Sequence, residues 1–254
     1  MKKYAVITGA SSGIGIEFAK HLARQGYALV LIARRKERLL KLARQLKTDC
    51  EIIPADLSDI DECRMVYKQL ADKNIEIFIN NAGFGDCGPF IEGDLDKEMQ
   101  MLAVNVQAVH FFTKCMLQKM QKLNYGYILN VASCAGLVPA GPYMSVYYAT
   151  KSYVTSLTRA VAAEQRERGS RIYIGCLCPG PVNTEFNRVA NVKFTLNGIS
   201  AGCCVSYALS QMKKRKTVII PKLSIKAVVA LGRIFPQELY IRLVSRQQKK
   251  KIYS

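Results

Sequence analysis

A chain of 254 residues, half of them hydrophobic, can bury one substantial core, and one catalytic-sized domain is the expected division. No run is apolar enough to span a bilayer, Gly9 and Ser11-Ser12 cut the run behind Lys2-Lys3 too short for a signal peptide, and the nine scattered cysteines read as reduced thiols of a cytoplasmic protein. The net charge of +18 is uneven: from Gln211 onward twelve bases face only Glu238, so this tail carries +11 and the preceding 210 residues +7.

The apolar run Tyr4-Ala5-Val6-Ile7 predicts a first strand and Ile16 to Gln25 an amphipathic helix, with Thr8-Gly9-Ala10-Ser11-Ser12-Gly13-Ile14-Gly15 as the turn between them. Gly9, Gly13 and Gly15 let the backbone bend sharply and approach a ligand, and the free N–H groups at the helix start favour a pyrophosphate, as in dinucleotide-binding turns. Tyr27 to Ala33 predicts a second strand and Lys36 to Lys47 a helix; Cys50 to Pro54 predicts a third strand, and Ser58 to Lys73 a helix capped by Ser58. Ile75 to Ile79 predicts a fourth strand, Leu95 to Lys122 a continuous helical stretch and Tyr127 to Val131 a fifth strand. Tyr147 to Arg168 then reads as a helix, Arg171 to Leu177 as a strand, 179–200 as a mixed loop with a short helix, Ala201 to Lys214 as a helix and Thr217 to Ile220 as a last strand. Strands alternating with helices predict an α/β fold of the Rossmann type, a doubly wound parallel sheet with helices on both faces.

Four places along this pattern carry chemistry. The second strand ends in Ala33-Arg34-Arg35, where an acid would select NAD through the ribose hydroxyl and arginines would neutralise the 2′-phosphate of NADP. Asp56 follows the third strand, either near the adenine ring or as the start of the turn to Ser58, and Asn80-Asn81-Ala82-Gly83 ends the fourth strand where backbone can meet a cofactor. Tyr147 and Lys151 stand four apart at a helix start and share one face, with Ser133 upstream after the fifth strand. A tyrosine ordinarily ionises near 10, and a neighbouring ammonium lowers that value toward general acid/base work. His21 and His110 are too isolated for a metal site, and none is expected.

Thr8-Gly9-x-x-x-Gly13-x-Gly15, Asn80-Asn81-Ala82-Gly83, Asn105, Ser133, Tyr147-x-x-x-Lys151 and Pro179-Gly180 together resemble the single-domain short-chain dehydrogenase/reductase family over about residues 4–220. The resemblance implies that Ser133 orients the substrate oxygen and Tyr147 is the acid/base. Lys151 would hold the nicotinamide ribose and lower the Tyr147 pKa, and Asn105 would support a water between Lys151 and solvent. It places the cofactor NADP(H) on Gly9, Ser11, Ser12, Gly13, Ile14, Gly15, Arg34, Asp56, Leu57, Asn81, Ala82, Gly83, Tyr147, Lys151, Pro179, Gly180, Val182 and Thr184, with Arg34 as the NADP-selecting residue. Ser133 and Tyr147 stand fourteen apart where the family usually shows thirteen, which would put Cys134 in the serine's place. The local Ser-Cys-Ala-Gly matches with Ser133, and the extra residue falls in 137–142.

The chain divides into a catalytic unit at 1–221 and a basic extension at 222–254, where Pro236 separates two helical apolar patterns interrupted by bases. A lid over an apolar pocket, a dimerisation element, a helical pair packed on its own domain and a peripheral membrane contact all fit that pattern. The expected function is NADP(H)-dependent interconversion of a secondary alcohol and a bulky apolar ketone, hydroxysteroid-like or 3-oxoacyl-like. Phe84, Leu137, Val138, Pro142, Tyr143, Met144, Phe186 and Phe194 would flank the cleft. A homodimer or homotetramer is expected. A nucleotide-binding regulatory or membrane-surface protein of the same fold without turnover is the alternative, and nucleic-acid binding is not expected because the basic tail lacks interleaved aromatics.

Overall fold

The computed structural model describes residues 2–192, 198–232 and 234–253, so Phe194 lies outside the described residues. In chain order the helices are α1 (Gly13–Arg24), α2 (Lys36–Gln45), α3 (Ile60–Gln69), α4 (Leu95–Leu102), α5 (Val109–Gln121), α6 (Ser145–Glu167), α7 (Phe186–Val189), α8 (Ala201–Lys213), α9 (Leu223–Leu231) and α10 (Gln237–Tyr253). The strands are β1 (Tyr4–Thr8), β2 (Ala28–Ala33), β3 (Cys50–Pro54), β4 (Ile75–Asn80), β5 (Gly126–Val131), β6 (Ile172–Leu177), β7 (Val182–Asn183), β8 (Ile199–Ser200) and β9 (Val218–Ile219). Seven of them form one parallel sheet in the order β3-β2-β1-β4-β5-β6-β9, while β7 and β8 pair by themselves.

Every residue of β2, β4 and β6 is buried, and β2 and β6 accordingly read as near-continuous apolar runs, while β4 buries Glu76 and Asn80 among its apolar residues. Alternate side chains feed two layers. On one face Leu29 and Leu31 meet Phe18 and Leu22 of α1 and Val205 and Leu209 of α8; on the other Val30, Ile32 and Phe78 meet Val66 of α3 and Phe112 and Met116 of α5.

Because the order turns outward from β1 and β4, the carboxyl ends of these two neighbours open a crevice, the usual ligand position in such sheets. Beneath it lies a polar brace. The buried Asn80 amide donates to Asn130 Oδ1 at 2.8 Å and to Thr113 Oγ1 at 3.2 Å, and Asn130 Nδ2 donates to Thr158 Oγ1 at 2.9 Å. This ties β4, β5, α5 and α6 together, and Asn80 itself does not line the cleft.

Two local expectations are corrected. Helix α3 starts at Ile60 and is capped by Asp59, whose carboxylate accepts from the Asp61 N–H at 2.7 Å; the Ser58 hydroxyl is spent instead on Asp56 Oδ1 at 2.8 Å. The stretch from Leu95 to Gln121 is not one regular helix, because α4 and α5 are joined by a π-helical turn at Ala103–Ala108. Such turns shift the register of the succeeding helix and recur at functional sites, and this one carries Asn105.

Candidate active site

Glycine geometry builds the floor of the crevice. Gly9 has φ +65°, and a Cβ there would stand 2.8 Å from the Cα of Ala82; a Cβ on Gly15 would run into the Gly9 carbonyl oxygen. The turn after β1 is therefore pressed against the end of β4, and only glycine allows it. Asn81 locks the contact: its amide donates to the carbonyls of Thr8 at 3.0 Å and Gly9 at 3.2 Å, while Thr8 Oγ1 accepts from the N–H groups of Asn81 and Ala82. No side chain caps the start of α1 and no acid stands in its first turn, so its N–H groups and positive dipole face the cleft. That arrangement fits the pyrophosphate of a dinucleotide.

The deeper end is set by β5 and α6. After β5, Ser133 starts a short 3₁₀ turn over Cys134–Leu137, its Oγ accepting from the Ala135 N–H at 3.1 Å. Tyr143, in the left-handed region at φ +67°, turns the chain sharply into α6. The helical period then stacks Lys151 on Tyr147, with the Lys151 Nζ 5.7 Å from the Tyr147 ring centroid. Ser133 and Cys134 both line the cleft beside Tyr147, and of the two it is Ser133 that draws the Tyr147 pKa down, while Cys134 raises it.

All three groups are buried, and burial dominates their electrostatics. It holds the Tyr147 phenol above its ordinary value, against the Ser133 hydrogen bond that pulls it down. Burial likewise draws Lys151 down to about 8. Lys151 donates to the Val131 carbonyl at 2.9 Å and not to the phenol, so the expected lowering of Tyr147 by Lys151 is not what this arrangement produces.

Asn105 is wholly buried. Its Oδ1 accepts from the Phe84 N–H at 3.1 Å, and its Nδ2 donates to the Phe84 carbonyl at 2.8 Å and to Thr150 Oγ1 at 3.1 Å. Thr150 in turn donates to the Tyr147 carbonyl at 2.7 Å. Asn105 thus pins the loop after β4 to the first turns of α6, holding Gly83 beside Lys151.

Ser133, Tyr147, Lys151, Gly83 and Phe84 line one cleft of about 270 Å³, together with Gly9, Ser12, Gly13, Ile14, Asn81, Ala82, Pro179, Gly180, Val182 and Thr184, while Asn105 lies behind the lining. Of the expected apolar wall, Phe84, Met144 and Phe186 line it; Leu137, Val138, Pro142 and Tyr143 do not, and Tyr148, Val189 and Val192 complete it instead. Helix α10 backs this wall from outside. Gln248 Nε2 donates to the Tyr148 hydroxyl at 2.5 Å, and Ile252 packs into the cluster around Tyr147. Among the described residues no side chain of 222–254 lines the cleft itself, so the extension is a buttress to the wall and not a lid.

The outer rim differs from the sequence expectation. Arg34 is 65% exposed and leans on Asp56 at 3.6 Å, while Asp56 is also held by Ser58; Arg34, Asp56 and Leu57 stand outside the cleft lining. Arg35 lines it, donating to Ser11 Oγ of the glycine turn from Nε at 3.3 Å and Nη2 at 3.1 Å. Arg35 also lies 3.6 Å from the Glu185 carboxylate, which pairs with Arg38 at 2.8 Å and Arg188 at 3.6 Å. The Glu185 carboxyl is held below its usual range, chiefly by the Arg38 hydrogen bond. Arg38 was foreshadowed only by its position one turn after Arg35 on α2; Glu185 had no sequence signal.

A parallel α/β sheet, a glycine turn pressed on the β4 end and a Ser-Tyr-Lys cluster at the base of the same cleft define a nucleotide-cleft protein of the oxidoreductase type. The family model described as short chain dehydrogenase matches residues 3–193, and the chain belongs to that family. It is 33% identical over 195 residues to a very-long-chain 3-oxoacyl-CoA reductase of Danio rerio, the match covering 74% of this chain and 62% of that relative, so the chain spans about three fifths of its length. Among solved structures it is similar to a short-chain dehydrogenase from Sphingobium yanoikuyae in complex with NADPH (31% identity, TM-score 0.80, covering 88% of this chain and 89% of that one). It is also similar to the bulky-bulky ketone specific alcohol dehydrogenase from Comamonas testosteroni (28% identity, TM-score 0.75, 87% and 86% covered).

Proposed function

We propose that this protein is an NADP(H)-dependent reductase of bulky, apolar ketones, returning the secondary alcohol. The observation that carries the reading is the buried Tyr147 phenol, on one cleft lining with Ser133 and walled by Phe84, Met144 and Phe186. An apolar wall with one hydroxyl pair at its base orients a substrate by a single oxygen and leaves its bulk to hydrophobic contact. Ser133 and Tyr147 both reach that oxygen. Tyr147, held protonated by burial, donates the proton that the nascent alkoxide needs, which suits the direction from ketone to alcohol. In the reverse direction a positive charge brought beside the phenol would ease its ionisation.

Bound NADPH would supply the hydride. The glycine turn and the α1 N-terminus would hold its pyrophosphate, Ala82 and Gly83 its inner ribose, with Lys151 turning from Val131 to join them, and Thr184 the far wall. Arg35 is the better placed cation for the 2′-phosphate, because it lines the cleft and is anchored to Ser11, whereas Arg34 points to Asp56. The relatives support both parts of this reading: one solved relative is in complex with NADPH, and another is named as specific for bulky ketones. The 3-oxoacyl-CoA reductase name of the Danio rerio relative keeps long acyl ketones among the substrates to test.

The test is a panel of bicyclic, steroidal and 3-oxoacyl ketones, each with NADPH and with NADH. Turnover of at least one bulky ketone with NADPH, faster than with NADH, is the expected result. Tight nucleotide binding with no turnover anywhere on the panel would make the protein a nucleotide-binding module instead.

A further inference from the structure

We propose that the outer face of the α9–α10 hairpin docks this protein on an anionic membrane surface. Helix α10 has two faces. Tyr240 and Gln248 are buried against the domain, and the opposite line carries Leu239, Leu243, Arg246 and Lys250, all exposed. Helix α9 turns inward only Val229, fully, and Ile225, which packs on Gly180; Val228 and Leu231 face out. The turn joining the helices adds Ile234 at 83% exposed and Phe235 at 48%. An apolar ridge of Leu231, Ile234, Phe235, Leu239 and Leu243 thus stands uncovered, flanked by Lys226, Arg242 and Arg246, none of which meets a carboxylate among the described residues.

Charge decides what covers this ridge. Residues 222–254 hold eight bases and one acid, Glu238, so a second copy docking through the same face would bring like charges together. A nucleic acid would meet four aliphatic side chains and the single ring of Phe235 where it needs a run of stacking rings. An anionic bilayer satisfies both halves, headgroups against the bases and acyl chains against the ridge. No helix among the described residues is long and apolar enough to cross a membrane, so the hairpin lies on the surface. The other exposed apolar cluster, Phe90, Ile91, Leu95 and Met99, sits among Glu92, Asp94, Asp96 and Glu98 and would be repelled by the same headgroups.

The test is co-sedimentation of the full chain with vesicles of phosphatidylcholine alone or mixed with phosphatidylglycerol, at low and high salt. Partition onto the anionic vesicles is expected to exceed that onto neutral ones by about tenfold or more and to fall with salt. The double variant Ile234→Asp, Phe235→Asp, both exposed, should melt like the parent and lose about tenfold in partition; Arg242→Glu with Arg246→Glu should erase the lipid-charge preference. Equal partition on the two vesicle types would overturn the proposal. So would unchanged binding of the double variant, or a dimer in sedimentation equilibrium that the double variant dissolves.

Discussion

The two ends of the cleft are built on opposite physical terms. At the deep end Asn105, Ser133, Tyr147 and Lys151 are buried, sit on or beside regular elements, and owe their alignment to the helical period and the brace under β4 and β5. At the outer rim Arg34, Arg35, Arg38, Arg188 and Glu185 are partly exposed side chains on loops and short helices, joined by ion pairs that can rearrange. A buried, desolvated site shifts pKa values and fixes geometry, whereas an exposed charge network offers selectivity that salt can screen. The deep end should therefore control rate, and the rim the choice of cofactor.

The largest break of that contrast should come at the deep end. Tyr147→Phe removes the proton donor while keeping the ring against Phe186, 5.4 Å away between centroids, so turnover should fall by about a hundredfold or more with NADPH binding nearly intact. A parallel pair, Ser133→Ala and Cys134→Ala, should show a large loss only for Ser133.

At the rim the expected change is in binding. Arg35→Ala should weaken NADPH by roughly tenfold to a hundredfold and leave NADH almost unchanged, with Arg34→Ala doing less, as read by fluorescence titration. High salt should shrink the Arg35 effect and leave the Tyr147 effect as it is.

Between the two lies the brace. Asn130→Leu strips Asn80 and Thr158 of a buried partner, and a loss of about 2 kcal/mol in urea unfolding is expected, far more than an exposed rim variant such as Arg38→Ala would cost.

A pH dependence follows from the buried Lys151. Lys151 titrates near 8 in the fold against 10.5 in the unfolded chain. Between those values the unfolded chain holds a proton that the native protein has lost, so this residue's contribution to stability rises with pH there and is most unfavourable below 8. Lys151→Met should accordingly stabilise the cofactor-free protein at pH 7, by on the order of 1–3 kcal/mol, and the gain should shrink as pH climbs toward 10. A difference in melting temperature that is constant over that range would show that Lys151 does not titrate in it.

The sequence made the deep end readable because its constraints are periodic. Continuous apolar runs mark buried parallel strands, glycine spacing marks a backbone that must touch β4, and a spacing of four puts Tyr147 and Lys151 on one helix face. What escaped depends on neighbours distant in sequence. That the Asn80 side chain is spent on Asn130 and Thr113 beneath the cleft depends on β5 and α5. Arg34 and Arg35 are adjacent and chemically alike, and only the positions of Ser11 and Asp56 separate them. The π-helical turn at Asn105 has no periodic signature short enough to see, and the inner and outer faces of α10 are distinguished only by what lies beneath it.

Proton delivery from buried Tyr147 to an apolar ketone beside NADPH is open to a single-turnover experiment. Protein saturated with NADPH is mixed with a bulky ketone and nicotinamide absorbance is followed, for the parent and for Tyr147→Phe. Absorbance should fall rapidly in the parent and at least about a hundredfold more slowly in the variant, at equal NADPH occupancy. Equal rates in the two proteins would contradict it.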